Sequence, residues 1–227
     1  MTYHTAQCLH ISITLKDSHS RNVPKIKTMK IKIKNVRLSF NDLFTPKAFQ
    51  GGEAKYSGTF ICSDDSTVTV DGVTSPHTKL KEICDNILKV KFGKAPAKVE
   101  NWLYNKADGS GTRGEFTNED GEYRAGFTAD TWYISASKKE SLCRNGEMNV
   151  VDQLRSPLTA NSGRIHSGVY VNVVIDAYAY ESARGGKGIT GSLEAVQLLR
   201  AGEPMGMTVI NAIDDFDDEE VEVDENF

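Results

Sequence analysis

The 227 residues suffice for one generous domain or two small ones, and 39% apolar with 26% charged residues is the make-up of a soluble globular protein. No apolar run approaches a membrane span, and residues 1–22 lack the basic-then-apolar order of a secretory signal, so neither anchoring nor export is expected. The net charge of −4 hides a split: nine of the 31 acidic residues lie in residues 214–227, which hold no Lys or Arg, leaving 27 basic against 22 acidic residues before them, a surplus of five. A mildly basic body with an acidic tail fits polyanion binding, and fits equally a neutral fold with a solubilising tail.

Residues 1–28 are polar and weakly patterned, and are expected to be a disordered extension, with Met29 as the natural start. Residues 30–34 alternate Lys and Ile, the period of a strand with one wet face. The apolar parity then shifts from Ile31 and Ile33 to Val36, Leu38 and Phe40, which predicts a bulge near Asn35. A second strand is expected over residues 55–62 after a loop containing Pro46, Gly51 and Gly52. Ser75 and Pro76 read as the N-cap and first position of a helix whose apolar face is Leu80, Ile83, Ile87 and Leu88, closed by Gly93. Residues 101–122, rich in Gly, Asp and Asn, read as a loop or mobile hairpin. Residues 123–137 and 167–181 read as long strands and 188–199 as a shorter one.

This makes about five strands with a helix between the second and third. The string suits a mostly β fold, an OB-like five-stranded Greek-key barrel with one helix and long loops, and a β-sandwich nearly as well. The expected division is an extension over 1–28, a barrel over 29–205 and a flexible acidic tail over 206–227. Cys8, Cys62, Cys84 and Cys143 form no CxxC pair and read as reduced thiols, two or three of them buried.

The strand at 167–181 is the most informative. Val169, Val171, Val173 and Ile175 share one face, and Tyr170, Tyr178 and Tyr180 stand on the other. Rings on an outer face suit base stacking, worth about 1–3 kcal/mol per base, although such rings also cover small secondary cores. Tyr56 and Phe60 share a face of the second strand, and Arg124, Trp132, Lys138 and Lys139 lie along the third. Trp132 and Phe60 are more often core residues, and lone cations are more often simply solvated. It is the interleaving of rings with Arg37, Lys47, Lys55, Arg124, Lys138 and Lys187 over several strands that favours phosphate neutralisation. Gly186, Gly188 and Gly191 match the dinucleotide fingerprint GxGxxG, but too little chain follows to build the second parallel strand, so a glycine-rich turn is expected. No Ser/His/Asp order or metal-spaced cluster is present, and neither enzymatic activity, a metal nor any other cofactor is expected.

The tail carries Asp214, Asp215, Phe216, Asp217, Asp218, Glu219 and Glu220, and the last residue is Phe227. Like charges with little apolar surface predict disorder, and a terminal aromatic carrying a carboxylate is a compact handle for a basic-rimmed pocket. With VRLSFNDLFTPKAFQGGEAKYSGTF at 36–60, SGVYVNVVIDAYAYESARGGKGITGSLEAVQLLRAGEP at 167–204 and the DDFDDEE run, the chain resembles a family of bacteriophage single-stranded DNA-binding proteins over roughly 200 residues. Residues 1–28 fall outside the resemblance and residues 101–122 fit it poorly.

The resemblance implies an OB barrel that binds single-stranded DNA with little sequence preference, without cofactor, in phage DNA replication and recombination. It also implies tail-mediated contacts with replication proteins (polymerase, helicase or primase); independently of the resemblance, an acidic tail tethered to a basic body is expected to compete for the DNA groove at high effective concentration. Tyr56, Phe60, Tyr170, Tyr178 and Tyr180 become groove candidates, the location implied is the bacterial host cytoplasm, and a homodimer is left open. A virion or assembly β-sandwich with a solubilising tail is the alternative.

Overall fold

A computed structural model describes residues 28–49, 51–111 and 113–206. All but Thr28 of the expected N-terminal extension, and all but Gly206 of the expected tail, lie outside the described residues, including Asp214–Glu220 and Phe227. The strands are β1 (Met29–Lys47), β2 (Lys55–Cys62), β3 (Thr67–Val70), β4 (Val73–Pro76), β5 (Tyr104–Lys106), β6 (Trp132–Lys139), β7 (Val150–Val151), β8 (Tyr170–Glu181) and β9 (Lys187–Arg200). The helix α1 spans Leu80–Phe92.

The pairing runs β2-β6-β9-β8-β1, and β1 also pairs β2, so five strands close into a barrel. In chain order these are barrel strands one to five, joined 1-2-3-5-4, antiparallel except where Ser137 of β6 lies parallel to Ser192 of β9. Closure rules out the sandwich and leaves the OB-type Greek key. The helix falls between the second and third barrel strands, where the sequence puts it.

One long strand serves two neighbours. The first half of β1 pairs β8 and β3, the second half pairs β2, and the register breaks between Ile33 and Val36. Asn35 sits in that break at φ 56°, its N–H donating to Asn172 Oδ1 at 3.1 Å. This is the bulge that the parity shift predicts.

Three expectations are corrected. Pro76 is extended (φ −57°, ψ 150°) and pairs Thr67, so residues 73–76 form a strand, and α1 starts at Leu80 after a 3₁₀ turn over His77–Lys79. Pro lacks an N–H and is tolerated in this terminal strand, whose cross-strand pairing outweighs its preference for opening a helix. The third barrel strand begins only at Trp132; Tyr123 makes only an isolated bridge to Thr117, and residues 124–131 are turns and irregular chain, with Phe127 N–H donating to Arg124 O and Thr131 N–H to Thr128 O. The hairpin β3–β4 is the third difference: its runs of four residues each are too short for alternation to stand out.

The interior is filled by Val171, Val173, Ile175 and Ala177 of β8, Ile189, Leu193 and Val196 of β9, Phe60 of β2, and Leu80, Cys84 and Leu88 of α1. Gly93 ends the helix in the left-handed conformation at φ 77°. The GxGxxG run is a hairpin and a strand. Gly191 lies where a Cβ would come within 2.3 Å of Ile175 Cγ2, and Gly188 lies under the Tyr180 ring. Cys62 and Cys84 are buried free thiols, pushed up to about 12 by burial, and Cys143 is half-buried.

Candidate nucleic-acid interface

Alternation along β2 sends Tyr56, Phe60 and Cys62 into the core, and Ser57, Thr59 and Ile61 to the opposite face of the sheet, where Ser57 is partly exposed and Thr59 and Ile61 are covered. Across the ladder, Ser57 faces Ser137, Thr59 faces Ser135 and Ile61 faces Tyr133. Thr59 and Ser135 share a hydroxyl hydrogen bond of 3.1 Å, and Ser57 Oγ donates to Asp42 at 3.2 Å. These small hydroxyl side chains make a shallow polar floor on the outer face of the second and third barrel strands, the face on which OB folds take oligonucleotides.

The two ends of the floor differ. At the end where Lys55 pairs Lys139, Lys47 meets Asp42 at 2.6 Å and Lys139 meets Glu53 at 2.7 Å. The Lys139 ammonium holds the Glu53 carboxyl below its ordinary range, while Lys55 takes part in no ion pair among the described residues. Phe49, 80% exposed, stands on the connecting loop.

At the other end an apolar cluster separate from the main core covers the sheet: Ile61, Ala107, Phe127 and Tyr133, with Phe116 and Met205 packed on them. Phe40 joins it edge-on to Phe116 at 5.5 Å, yet remains 42% exposed. Its backbone is left-handed, at φ 48°, which turns the side chain off the core parity that the sequence assigns to it. Such strain in a non-glycine residue costs on the order of 1–3 kcal/mol and concentrates at functional sites. The Arg124 guanidinium lies 5.6 Å from the Phe40 ring and 5.9 Å from that of Phe116, and Nε donates to Thr117 O. No ion pair among the described residues involves Arg124.

Beside these groups opens a cavity of about 650 Å³, lined among others by Ser39, Phe40, Tyr123, Arg124, Met205 and Gly206. Gly206, the last described residue before the acidic tail, therefore stands at the wall of this cavity. Met205 N–H donates to Ser167 O at 2.9 Å. Arg37 clamps the same segment, with Nε donating to Gly168 O and NH2 to Glu203 O.

The other sequence candidates are dispersed. Tyr56 and Phe60 point into the core, Tyr56 OH donating to Gly146 O at 2.6 Å, so the face they share is the inside of the barrel. Lys138 is bound to Glu194 at 2.5 Å, so its charge is engaged within the fold, while the Arg37 guanidinium is directed at the carbonyls of Gly168 and Glu203. Trp132 stacks on Tyr104 at 4.6 Å and 13° near the helix. Tyr170, Tyr178 and Tyr180 do stand on the outer face of β8, half-buried, with Arg200 3.6 Å over the Tyr170 ring. Lys187 lies 4.8 Å over the Phe92 ring at the end of α1.

Of the named residues, Lys47, Lys55 and Arg124 border the hydroxyl floor. Sequence reasoning missed Phe40 and Phe49 as exposed rings, and Phe116 and Phe127 as the covered cluster on which Phe40 rests. Phe40 offered a signal, since it follows directly on the parity change, but only a positive φ turns it outward. Among the described residues no helix is long and apolar enough to cross a membrane, and no group of three His, Cys, Asp or Glu is placed to hold a metal ion.

Residues 29–227 match the model of a family described as the ssDNA-binding protein of Enterobacter phage Enc34. The putative protein p50 of Acyrthosiphon pisum secondary endosymbiont phage 1 is 32% identical over 194 residues, which is 84% of this chain and 94% of that protein. The single-stranded DNA-binding protein from bacteriophage Enc34, solved in complex with ssDNA, is 26% identical with a TM-score of 0.55, covering 78% of this chain and 89% of its own. A second structure of the single-stranded DNA-binding protein from bacteriophage Enc34 is 24% identical with a TM-score of 0.54, over 83% and 90% of the two chains, and shares the fold.

Proposed function

The chain belongs to the phage single-stranded DNA-binding family represented by the Enc34 protein, and from that premise we propose that it binds single-stranded DNA along the outer face of β2 and β6, without catalysis, in phage replication and recombination. The observation that carries this path is the pairing of a strained, half-exposed Phe40 with an Arg124 that has no carboxylate partner among the described residues, beside a floor of hydroxyls. Lys55 and Arg124 take the phosphates and release their counterions, which makes affinity fall with salt, and the exposed Lys47 joins them by exchanging Asp42 for a phosphate. Phe40 and Phe49 offer π-faces to unpaired bases, a contact that any base can make. Duplex DNA is disfavoured because its bases already stack on one another.

The acidic tail is the second part of the proposal. It departs from Gly206, at the cavity shared with Phe40 and Arg124, so its carboxylates compete with phosphates for the same cations at high effective concentration. DNA displaces it, and the freed tail, with Phe227, becomes available in the host cytoplasm to a polymerase, helicase or primase. The test is a titration of fluorescent oligo-dT with the full chain at two salt concentrations. Affinity that falls steeply with salt is expected, and affinity independent of salt overturns the reading.

A further inference from the structure

A smaller cavity of about 200 Å³ lies between α1 and β5, away from the hydroxyl floor, lined by Lys81, Trp102, Tyr104, Asn105, Lys106 and Trp132 together with Ser110 and Gly111. It is smaller than the roughly 300–1,000 Å³ of drug-sized ligand sites, so it suits one ring system. Its walls are aromatic: Trp132 is stacked on Tyr104, and Trp102 and Trp132 are the only two tryptophans in the chain. Lys106 is neutralised between Asp108 at 2.8 Å and Asp130 at 3.1 Å, while Lys81 enters no ion pair among the described residues. Planar aromatic walls beside a cation that has no ion-pair partner among the described residues describe a seat for a heteroaromatic ring attached to a phosphate.

One atom makes the seat selective. Asn105 is 2% exposed, its Nδ2 donates to Trp102 O at 2.7 Å, and its Oδ1 is buried without a hydrogen-bond partner. The bond to a carbonyl fixes the amide orientation, because a flip would set oxygen against oxygen, so the orphan is an acceptor and lacks a donor. Burying it unpaired is costly, and Asn105 Oδ1 is one of two such side-chain atoms among the described residues. A Cβ on Gly111 would stand 3.4 Å from this oxygen, so glycine leaves open the side from which a donor arrives.

We propose that this cavity takes one base of a bound single strand, stacked against the tryptophans, and prefers a base carrying an exocyclic amine. The amine of cytosine or adenine projects from a corner of the ring and reaches a lone acceptor. The N–H of thymine lies between two carbonyl oxygens, which Asn105 has no free donor to satisfy. The inference rests on the single-strand reading above, and it adds a base-selective subsite to a surface otherwise tolerant of sequence.

The test uses the full chain with fluorescent oligo-dC and oligo-dT of equal length, followed by anisotropy for binding and by tryptophan emission for occupancy of this cavity. Expected are quenched emission with oligo-dC and a dC-to-dT affinity ratio roughly two- to tenfold higher in the parent than in Gly111→Ala or Asn105→Leu. Comparing ratios between proteins cancels the intrinsic stacking difference of the two bases. Gly111→Ala, which fills space without touching a core contact, keeps the test valid should Asn105→Leu fail to fold. Salt-dependent binding of both oligomers with unchanged emission, or with a ratio that Gly111→Ala leaves alone, overturns the subsite and leaves the groove reading standing. Absence of binding by either oligomer overturns both. Saturable quenching by dCMP with none by the oligomers makes the cavity a free-nucleotide site and overturns the inference as well.

Discussion

Phe40→Ala separates a ring that serves DNA from one that serves the fold. Phe40 touches Phe116 edge-on at 5.5 Å and is 42% exposed, so its packing is only partial. An edge-to-face pair is worth about 0.5–1.5 kcal/mol beyond area burial, and alanine at φ 48° keeps the backbone strain, so stability should fall by about 1–2 kcal/mol. Loss of a stacked base should cost about 1–3 kcal/mol of binding, which is about 5- to 150-fold in Kd. Phe40→Leu is the informative companion, because it keeps apolar bulk against Phe116 but offers no π-face. Oligo-dT anisotropy and urea unfolding, run on both variants, give the two free energies separately. The reasoning fails if both variants lose stability as expected while binding within about twofold of the parent.

The remaining expectations address charge, the alternative face, the tail and pH. Arg124→Gln should lessen the slope of log K against log salt by about 0.7 if its guanidinium meets one phosphate, and an unchanged slope removes it from the path. Tyr178→Ala with Tyr180→Ala should weaken oligo-dT binding less than Phe40→Ala does; a larger loss moves the strand onto the outer face of β8. Deleting residues 214–227 should tighten DNA binding at low salt, and pull-down of phage replication proteins should be lost with it. Burial holds the His77 ring below its ordinary 6.5, against an opposing pull from Asp64, and Nδ1 lies 2.7 Å from Tyr104 OH. The unfolded chain then binds a proton that the folded one refuses, so this contribution to stability is full above about pH 6.5 and is lost as pH falls below it. Urea midpoints measured from pH 7.5 to 5 should show that decline in the parent and less of it in His77→Gln.

The barrel was legible wherever a strand is wet on one side and long enough to alternate. β8 shows its core valines and outer tyrosines at strict period two, and the bulge at Asn35 shows as a change of parity. Legibility failed where the deciding interaction is distant in sequence. Pro76 looks like a helix start until Thr67 pairs with it, and Tyr56 and Phe60 look available until β6 and the residues around Gly146 enclose them. The cluster on which Phe40 rests was harder still. Phe116 and Phe127 come from a segment of turns with no period to read, and they meet Tyr133 only because residues 113–127 fold back over the outside of the barrel. Cations misled for a related reason: charge is visible in sequence, but whether Lys138 is held by Glu194 or free to meet a phosphate is decided by β6 lying beside β9.

Salt separates the proposed tail competition from stacking. Asp214 follows Gly206 by eight residues, so the covalent reach of the chain holds its backbone within about 28 Å of Gly206. Gly206 itself lines the cavity with Arg124. At about 0.01 M salt the Debye length is about 30 Å, as long as this tether, whereas at physiological salt it is about 8 Å. Competition of this kind needs no fixed docking geometry, only tethering, and it is screened as the ions are. The gain in affinity from removing residues 214–227 should accordingly shrink as salt rises, whereas the loss from Phe40→Ala, being a lost ring contact, should persist. A tail effect that held constant across salt would mean a specific seat for Phe216 or Phe227 in place of an electrostatic competitor.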